Sequence, residues 1–282
     1  MTTGRPSVDA RDKAALFRKY HEGPDLLVVM NAWDAGSARI FEEAGAKAVG
    51  TGSAGIAFSH GYPDNEDLPR DVVLAATREM VNAVDVPLTA DILNGLGKTT
   101  EEIVATVKEV IAMGACGINI EDSTEEGGTH LFDLAAQVEK IRAVCKAVEE
   151  SGVPIVVNAR TDSYWVKIGD DVQKLRASIE RGNKYREAGA HCIFVPAAAD
   201  RVAIRTLCAE IDAPVNILTV PGCPTIPELR DLGVRRVSEG SGPVRASMAL
   251  ARRIAKELLG TGTYKSFHEG TIAYPEANKL FS

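Results

Sequence analysis

The chain has 282 residues and a formal net charge of −7, with 45% hydrophobic and 25% charged residues. This composition is ordinary for a globular protein, and its acidic balance argues against nucleic acid or an anionic membrane as the main partner. No segment approaches the roughly 18 uninterrupted apolar residues of a membrane helix, and the amino terminus lacks an apolar secretory core. We therefore expect a cytoplasmic protein.

The cysteines are odd in number and form no C-x-x-C pair or other zinc-like spacing. Two of them lie within apolar, strand-like segments, where a buried reduced thiol is the ordinary state. The sequence therefore predicts buried reduced thiols at Cys116 and Cys192 and a loop thiol at Cys223.

Short β-branched segments alternate with longer amphipathic ones along the whole chain. The predicted strands cover residues 26–32, 46–53, 86–92, 116–122, 154–160, 191–197, 214–220 and 235–240. The predicted helices cover residues 35–44, 67–84, 100–113, 134–151, 171–188, 200–211, 225–232 and 243–258. Several helices end in a glycine turn, which supports the left-handed conformation that stops a helix.

Eight β–α units predict a single parallel (β/α)8 barrel of the TIM type. No linker interrupts the pattern, so we expect one domain over residues 1–282, with a polar carboxyl-terminal extension from about residue 259. An open doubly wound sheet is the alternative. No G-x-G-x-x-G follows the first strand, which weakens a dinucleotide-binding interpretation. In a barrel, the carboxyl ends of the strands form the mouth at which sites are built.

Three charged side chains end consecutive predicted strands: Asp91 the third, Glu121 the fourth and Arg160 the fifth. Neighbouring parallel strands lie about 4.8 Å apart, so these groups can converge on a space of metabolite size. Two adjacent carboxylates either repel or share a hard cation such as Mg²⁺, and an arginine suits a carboxylate or phosphonate. The alternative is a buried ion-pair network that only closes the barrel.

Six segments carry a resemblance to a known family: "MNAWDAGSARIFEEAGAKAVGTGSAGIAFSHGYPD", "TADILNGLG", "GINIEDS", "NARTDSYW", "AGAHCIFVPAA" and "LGVRRVSEGSGPVRA". In this order and spacing the chain resembles the isocitrate lyase/phosphoenolpyruvate mutase superfamily, from about residue 12 to residue 258. The resemblance implies a (β/α)8 barrel and Mg²⁺-assisted work on small α-oxo or α-hydroxy carboxylates. It also implies that a C–C or P–C bond is formed or cleaved.

The same resemblance implies roles for individual residues. It implies that Asp91 and Glu121 hold the hydrated metal ion. It also implies that Arg160 binds the substrate anion and stabilises the transition state. It places a backbone cradle for the substrate carboxylate at Gly52, Ser53 and Ala54. Asp64 corresponds to an acid in the outer shell of the metal, and Asn216 to an amide that lines the pocket.

The metal motif departs from the family pattern at Leu93, where the family carries a second acid two residues after Asp91. Leucine donates no oxygen, so the ion loses a ligand or a ligand-bound water. Mg²⁺ accepts water in its shell, so binding is expected to be weakened or lost. The neighbouring Asn94 has a side-chain oxygen, but side chains alternate along an extended segment, so this oxygen would point away from the ion.

The loop after the fourth strand departs as well. Lyases of the family carry a Lys-Lys-Cys-Gly-His motif there, whereas this chain reads "DSTEEGGTH". The missing cysteine argues against isocitrate or methylisocitrate cleavage, and Glu125 and Glu126 would repel a phosphoryl group. Gly127 and Gly128 could form a hinge, and His130 could serve as a general acid or base. A solvated loop histidine is the alternative for His130.

The expected function is that of a lyase or decarboxylase that works on a C–C bond of a small carboxylate through an enolate intermediate. Arg160, Glu121 and His130 are the candidate catalytic residues. A P–C bond-forming phosphonomutase and a non-catalytic metabolite-binding barrel are the alternatives. The resemblance also implies a homo-oligomer, a dimer or a tetramer, in which the terminal segment wraps a neighbouring subunit.

Overall fold

The computed structural model describes residues 9–64, 68–124, 129–166 and 168–281. The strands in these residues are β1 Leu27–Ala32, β2 Ala48–Thr51, β3 Leu88–Asp91, β4 Gly117–Glu121, β5 Ser123–Thr124, β6 His130–Leu131, β7 Val156–Arg160, β8 Cys192–Val195, β9 Val215–Leu218 and β10 Arg236–Ser238. Eight of them form a closed barrel in the order β1-β2-β3-β4-β7-β8-β9-β10, in which β10 pairs with β1. Every pair in the barrel is parallel. The predicted (β/α)8 fold is confirmed.

The helices surround this barrel. They are α1 Ala10–Glu22, α2 Ala35–Glu43, α3 Ser53–Ser59, α4 Arg70–Ala83, α5 Thr100–Ala112, α6 Leu134–Ser151, α7 Asp171–Glu187, α8 Arg201–Glu210, α9 Ile226–Asp231, α10 Gly242–Gly260, α11 Lys265–His268 and α12 Tyr274–Leu280. Several start at an acidic or hydroxyl side chain that accepts a hydrogen bond from the first turn, as Asp34 does for α2 and Thr99 for α5. These caps fix where each helix leaves its loop.

All eight predicted strands and all eight predicted helices occur, with strands shorter than predicted because the barrel hydrogen bonds end before the extended residues do. Helices α1, α3, α11 and α12 and the β5–β6 hairpin were not predicted from the sequence. Helices α3 and α11 and the two hairpin strands are shorter than the span over which a periodic pattern becomes visible.

The strands are buried on both faces, which is why they read as continuous apolar runs. All four residues of β3 and all four of β8 are buried. Burial of each large aliphatic side chain contributes roughly 1.5–3 kcal/mol, so this shared core outweighs any single polar contact in the molecule. Both Cys116 and Cys192 are buried free thiols, as predicted, and the other three cysteines are free as well.

Helix α1 closes the amino-terminal end of the barrel. Phe17 and His21 are buried there, and their rings meet edge to face at 4.6 Å. Phe17 lies against the first residue of β4, Gly117, where an added Cβ would be only 2.8 Å from the ring. The fully buried Arg236 lies 5.7 Å from the same ring and donates to Asn119 Oδ1 at 3.2 Å. Aromatic and charged side chains therefore plug this end.

The last barrel helix, α10, has a largely exposed surface. Of its 19 residues only Val244 is buried, although the helix is amphipathic. Its exposed apolar residues include Met248, Leu250, Leu258 and Leu259. Helix α12 turns back to α2, where Arg39 donates to the carbonyl of Leu280 at 3.2 Å. Among the helices described, none is long and apolar enough to cross a membrane.

Candidate active site

The three predicted site residues lie at the carboxyl ends of neighbouring strands. Strand β4 pairs with β3 on one side and with β7 on the other, and Glu121 stands directly opposite Arg160. Arg160 Nη1 lies 2.7 Å from Glu121 Oε2. Their side chains keep 19% and 14% exposure, so solvent reaches both from the mouth. The sequence prediction that these groups converge holds for Glu121 and Arg160, with Asp91 on the adjacent strand.

Arg160 is held in place from several sides. Its Nε donates to Asp162 Oδ1 at 2.6 Å, and its guanidinium lies 5.7 Å from the ring of Phe194 and 5.9 Å from that of Trp165. Burial opposes the charged form, but Asp162, Glu121 and Asp91 outweigh it and raise the pKa of Arg160. The remaining nitrogen, Nη2, makes no hydrogen bond to a described residue. It is therefore available to an anion.

Glu121 lies in an excess of negative charge. Burial raises the pKa of its carboxyl, Arg160 opposes this, and the carboxylates of Asp162, Asp91 and Asp64 raise the pKa further. Four carboxyl groups thus share one guanidinium at this mouth. Such an arrangement is stabilised by a cation or by a proton, and it would hold either one more tightly than an exposed carboxylate does.

Asp91 is 9% exposed and is fixed by backbone amides. Its Oδ2 accepts from the N–H of Ser53 at 3.1 Å, and its Oδ1 from the N–H of Leu93 at 3.3 Å. Each carboxylate oxygen retains a lone pair beyond these bonds. The carboxylate is therefore oriented at the mouth with acceptor capacity left over.

Leu93 has a left-handed backbone, with φ of 52°. This conformation is strained for leucine but is tolerated by asparagine and aspartate. The chain thus leaves the extended conformation at Leu93. The side-chain alternation of an extended segment, which was expected to direct Asn94 away from the metal, therefore does not apply. Both side chains line a cavity of about 1060 Å³ between α5, α6 and the β5–β6 hairpin, and Asp91 and Glu121 are not among its lining residues.

The residues expected to cradle a carboxylate follow β2. The N–H of Gly52 donates to the carbonyl of Ala32 at 3.1 Å, and that of Ser53 donates to Asp91. Ser53 and Ala54 are the first two residues of α3. Two of the three predicted donors are therefore already engaged within the protein, and the cradle remains a prediction.

The other predicted residues lie at different depths. Asp64 is exposed and close enough to raise the pKa of Glu121. Asn216 is fully buried inside the barrel, where its Oδ1 accepts from Ser238 Oγ at 3.5 Å and its Nδ2 has no partner among the described residues. His130 is exposed in β6 opposite Thr124. Glu125, Glu126, Gly127 and Gly128 lie outside the described residues.

A buried network of hydrogen bonds, which was not predicted from the sequence, lies behind Arg160. Asp162 accepts from Ser123 Oγ at 2.5 Å as well as from Arg160. Asp122 accepts from the N–H of Asp162 at 2.8 Å, from Tyr185 Oη at 2.6 Å and from Arg181 Nη1 at 3.1 Å. Helix α7 is thereby connected through two carboxylates to Arg160.

A set of hydrogen bonds joins the carboxyl ends of β1 and β10 at the mouth. The side chain of Glu239 accepts from the N–H of Asn31, while Asn31 Oδ1 accepts from the N–H groups of Glu239 at 3.2 Å and Gly240 at 2.8 Å. Burial raises the pKa of Glu239 from 4.5 to about 7, against the effect of these backbone hydrogen bonds. The carboxyl is therefore easier to protonate in the folded protein than in the unfolded chain.

We expect Glu239→Gln to remove a pH-dependent part of the stability. Because the folded pKa exceeds the unfolded one, the contribution of Glu239 is complete below pH 4.5 and declines as the pH rises to about 7. Glutamine keeps the acceptor for Asn31 and does not ionise. The difference in unfolding free energy between variant and wild type should grow by about 1–2 kcal/mol in favour of the variant between about pH 4.5 and 8. Urea unfolding at both pH values measures it, and parallel pH profiles would contradict it.

The family model for phosphoenolpyruvate phosphomutase matches residues 17–259. The chain belongs to the isocitrate lyase/phosphoenolpyruvate mutase superfamily. Among curated members, the 2-methylisocitrate lyase of Escherichia coli (strain K12) is 29% identical over 261 residues, which cover 89% of this chain and 86% of that protein.

Solved structures of the superfamily share the fold over nearly the whole chain. A protein of Burkholderia cenocepacia J2315 with a provisional lyase/mutase name is 33% identical, with a TM-score of 0.90 and 98% of each chain covered. The 2,3-dimethylmalate lyase is 25% identical, with a TM-score of 0.84, and the match covers 95% of this chain and 94% of that one. The protein with this sequence is therefore an enzyme. Its superfamily contains lyases and mutases of small carboxylates.

Enzymes of the superfamily typically use Mg²⁺. In this member, no three histidine, cysteine, aspartate or glutamate side chains of the described residues are grouped so that they could hold a metal ion. Asp91 and Glu121 supply two carboxylates, and Leu93 supplies none. Two carboxylates fit an ion that keeps most of its water, which is the usual state of Mg²⁺ in proteins.

Proposed function

We propose that this enzyme cleaves or forms a C–C bond, as a lyase or decarboxylase, in a small α-oxo or α-hydroxy carboxylate. The observation that carries the proposal is the position of Arg160 at the mouth, with two nitrogens engaged by Glu121 and Asp162 and Nη2 left over. A guanidinium fixed in this way binds a carboxylate without reorganisation and stabilises the negative charge of an enolate as it develops.

The excess of carboxylates at the mouth supports a bound cation. Asp91 and Glu121 would hold Mg²⁺ through a mostly hydrated shell, with Asp64 in its outer surroundings. When bound, the ion supplies positive charge that stabilises an enolate. Arg160 binds and orients the substrate carboxylate, and Asp162 keeps the guanidinium from turning away. The backbone at Gly52, Ser53 and Ala54 remains a candidate second contact for the substrate, and Asn216 a candidate lining residue.

The proton transfer is assigned to His130 or to a water molecule. His130 belongs to the hairpin that follows Glu121, so it stands on the segment next to the proposed site. Histidine is the side chain that most often serves as a general acid or base. A non-catalytic barrel, the third hypothesis from the sequence, is set aside because the enzyme assignment of the superfamily extends to this chain.

We also infer a homo-oligomer in the cytoplasm. The amphipathic helix α10, which exposes Met248, Leu250, Leu258 and Leu259, offers an apolar surface for a second subunit. Five free thiols are consistent with a reducing compartment. Size-exclusion chromatography with light scattering tests the first inference, and a monomer at micromolar concentration would contradict it.

We expect Leu93→Asp to strengthen Mg²⁺ binding. Leu93 lines the neighbouring cavity, but its N–H lies 3.3 Å from Asp91 Oδ1, so a carboxylate at this position adds negative charge close to the proposed ion. Aspartate also suits the left-handed backbone at this position. Calorimetric titration should show an affinity at least about tenfold higher than in wild type. Leu93→Asn is the matched control, since it relieves the same strain without a charge. Equal affinities of Leu93→Asp and wild type would show that position 93 does not govern the ion.

An activity screen with and without Mg²⁺ tests the function. The substrates are oxaloacetate, dimethylmalate, methylisocitrate, isocitrate, phosphonopyruvate and phosphoenolpyruvate. The proposal expects turnover of one of the first four, with loss of activity in Arg160→Met. Turnover confined to the two phosphorus compounds would replace it with the phosphonomutase alternative. Turnover of a carboxylate that survives Arg160→Met would exclude the assigned role of Arg160.

A further inference from the structure

A cavity of about 500 Å³ lies at the opposite end of the barrel from Glu121 and Arg160. It opens between α1, α6 and the segments that lead into β7 and β8. Its charged and titratable lining residues are Arg18, Arg142, Lys146, His191, Glu149 and Cys145. Of its three cations, Arg142 and Lys146 pair with Glu139 and Glu150, whereas Arg18 forms no ion pair with a described residue.

The protonation state of His191 follows from its contacts. Its Nδ1 accepts a hydrogen bond from the backbone N–H of Val157 at 3.0 Å. A backbone amide can only donate, so Nδ1 carries no proton and the neutral ring carries its proton on Nε2. Burial, followed by the charges of Arg18 and Arg186, lowers the pKa of His191 to about 4. The ring is therefore neutral at physiological pH.

Arg18 contacts the His191 ring at Nε2, the nitrogen that carries the proton. Its Nη2 contacts His191 Nε2, so a donor faces a donor, because a guanidinium offers no lone pair. The Nε of Arg18 is buried and has no hydrogen-bond partner. Within the described ranges no carboxylate forms an ion pair with Arg18, whereas Arg142 pairs with Glu139, and Lys146 with Glu150 at 3.8 Å. The Nε–H of Arg18 and the Nε2–H of His191 thus have no acceptor among the described residues, and both residues line this cavity.

We propose that this cavity is a binding site for a small, doubly charged oxyanion. One oxygen would accept from both Arg18 and His191 Nε2–H, which removes the conflict between the two donors. A guanidinium is suited to a second, parallel hydrogen bond from the same group. Arg142 and Lys146 contribute longer-range attraction, and their surface pairs with carboxylates are weak enough to yield. Phosphate and a dicarboxylate share the required chemistry.

Histidine-selective NMR on the full chain tests the proposal without any variant that could fail to fold. With ¹⁵N-labelled histidine, the Nε2–H signal of His191 should shift in a saturable manner as inorganic phosphate or succinate is added, against potassium chloride at matched ionic strength. The anion with the lower Kd identifies the source of the ligand. No shift with either anion, or an equal shift with chloride, would overturn the proposal.

Two variants separate this site from the mouth of the barrel. Arg18→Met keeps the length of the side chain and removes the charge, and it should raise the Kd by at least about tenfold. Arg160→Met changes the mouth and should leave the Kd at His191 unchanged. A shift that disappears in Arg160→Met, or that persists unaltered in Arg18→Met, would contradict binding at this cavity.

Discussion

Replacement of Arg160 by methionine is expected to abolish most of the activity. The variant loses the only cation that Glu121 and Asp162 contact among the described residues, and with it the proposed clamp on the substrate. We expect kcat/KM to fall by about 10²–10³-fold or more, in the range found when a positioned donor to a developing anion is removed. Steady-state kinetics with the substrate found in the screen measures this.

Stability needs a separate control, because two buried carboxylates lose their partner. Removal of one member of a buried pair costs about 3–5 kcal/mol, so the fraction of folded Arg160→Met must be measured by circular dichroism. Arg39→Met is the matched variant, since Arg39 has 16% exposure and lies 2.6 Å from Glu42, far from the mouth. It should retain wild-type kinetics. An Arg160→Met protein that is folded and keeps more than about a tenth of the activity would refute the clamp.

Replacement of Asp122 by alanine is expected to have the largest effect on stability. Asp122 is fully buried and accepts hydrogen bonds from Tyr185, Arg181 and the N–H of Asp162. Without it, the Tyr185 hydroxyl and the N–H of Asp162 lose their acceptor. Arg181 loses its carboxylate partner but still donates to the carbonyl of Phe132 and to Tyr185 Oη. The unfolding free energy should fall by about 3–5 kcal/mol in urea at neutral pH.

Two further variants divide this loss. Tyr185→Phe removes one donor and keeps the carboxylate, and it should cost about 1 kcal/mol. Asp122→Asn keeps the size of the side chain and removes the charge, so an intermediate loss is expected. If Asp122→Ala unfolds within about 1 kcal/mol of wild type, water must replace the carboxylate, and the buried network does not make the expected contribution to stability.

The barrel was predictable because each of its strands is a short apolar run and several helices end at a glycine turn. Both signals are local, and Gly45, Gly114, Gly189 and Gly233 do adopt positive φ at these turns. Helix α1 was missed although Ala14, Phe17 and His21 line one face of it, since only three buried positions stand among charged residues. Tertiary burial, rather than local pattern, defines such an element.

The site was predictable only in part. Glu121 and Arg160 could be brought together because parallel strands place their carboxyl ends at one edge. Asp162 follows Arg160 by two residues, a spacing that signals a shared face. The Tyr185 and Arg181 contacts to Asp122 span 63 and 59 residues and leave no local trace. The left-handed turn at Leu93 also had no signal, because leucine gives no hint of it.

Phe17 and His21 close the amino-terminal end of the barrel, so a substrate reaches Glu121 and Arg160 from the opposite end. If the enzyme splits one carboxylate into two fragments, both must depart by the path through which the substrate came in. The fragment not held by Arg160 would leave first, and the one bound to the guanidinium would leave last. Product inhibition should accordingly be competitive for the last fragment and of a different type for the first.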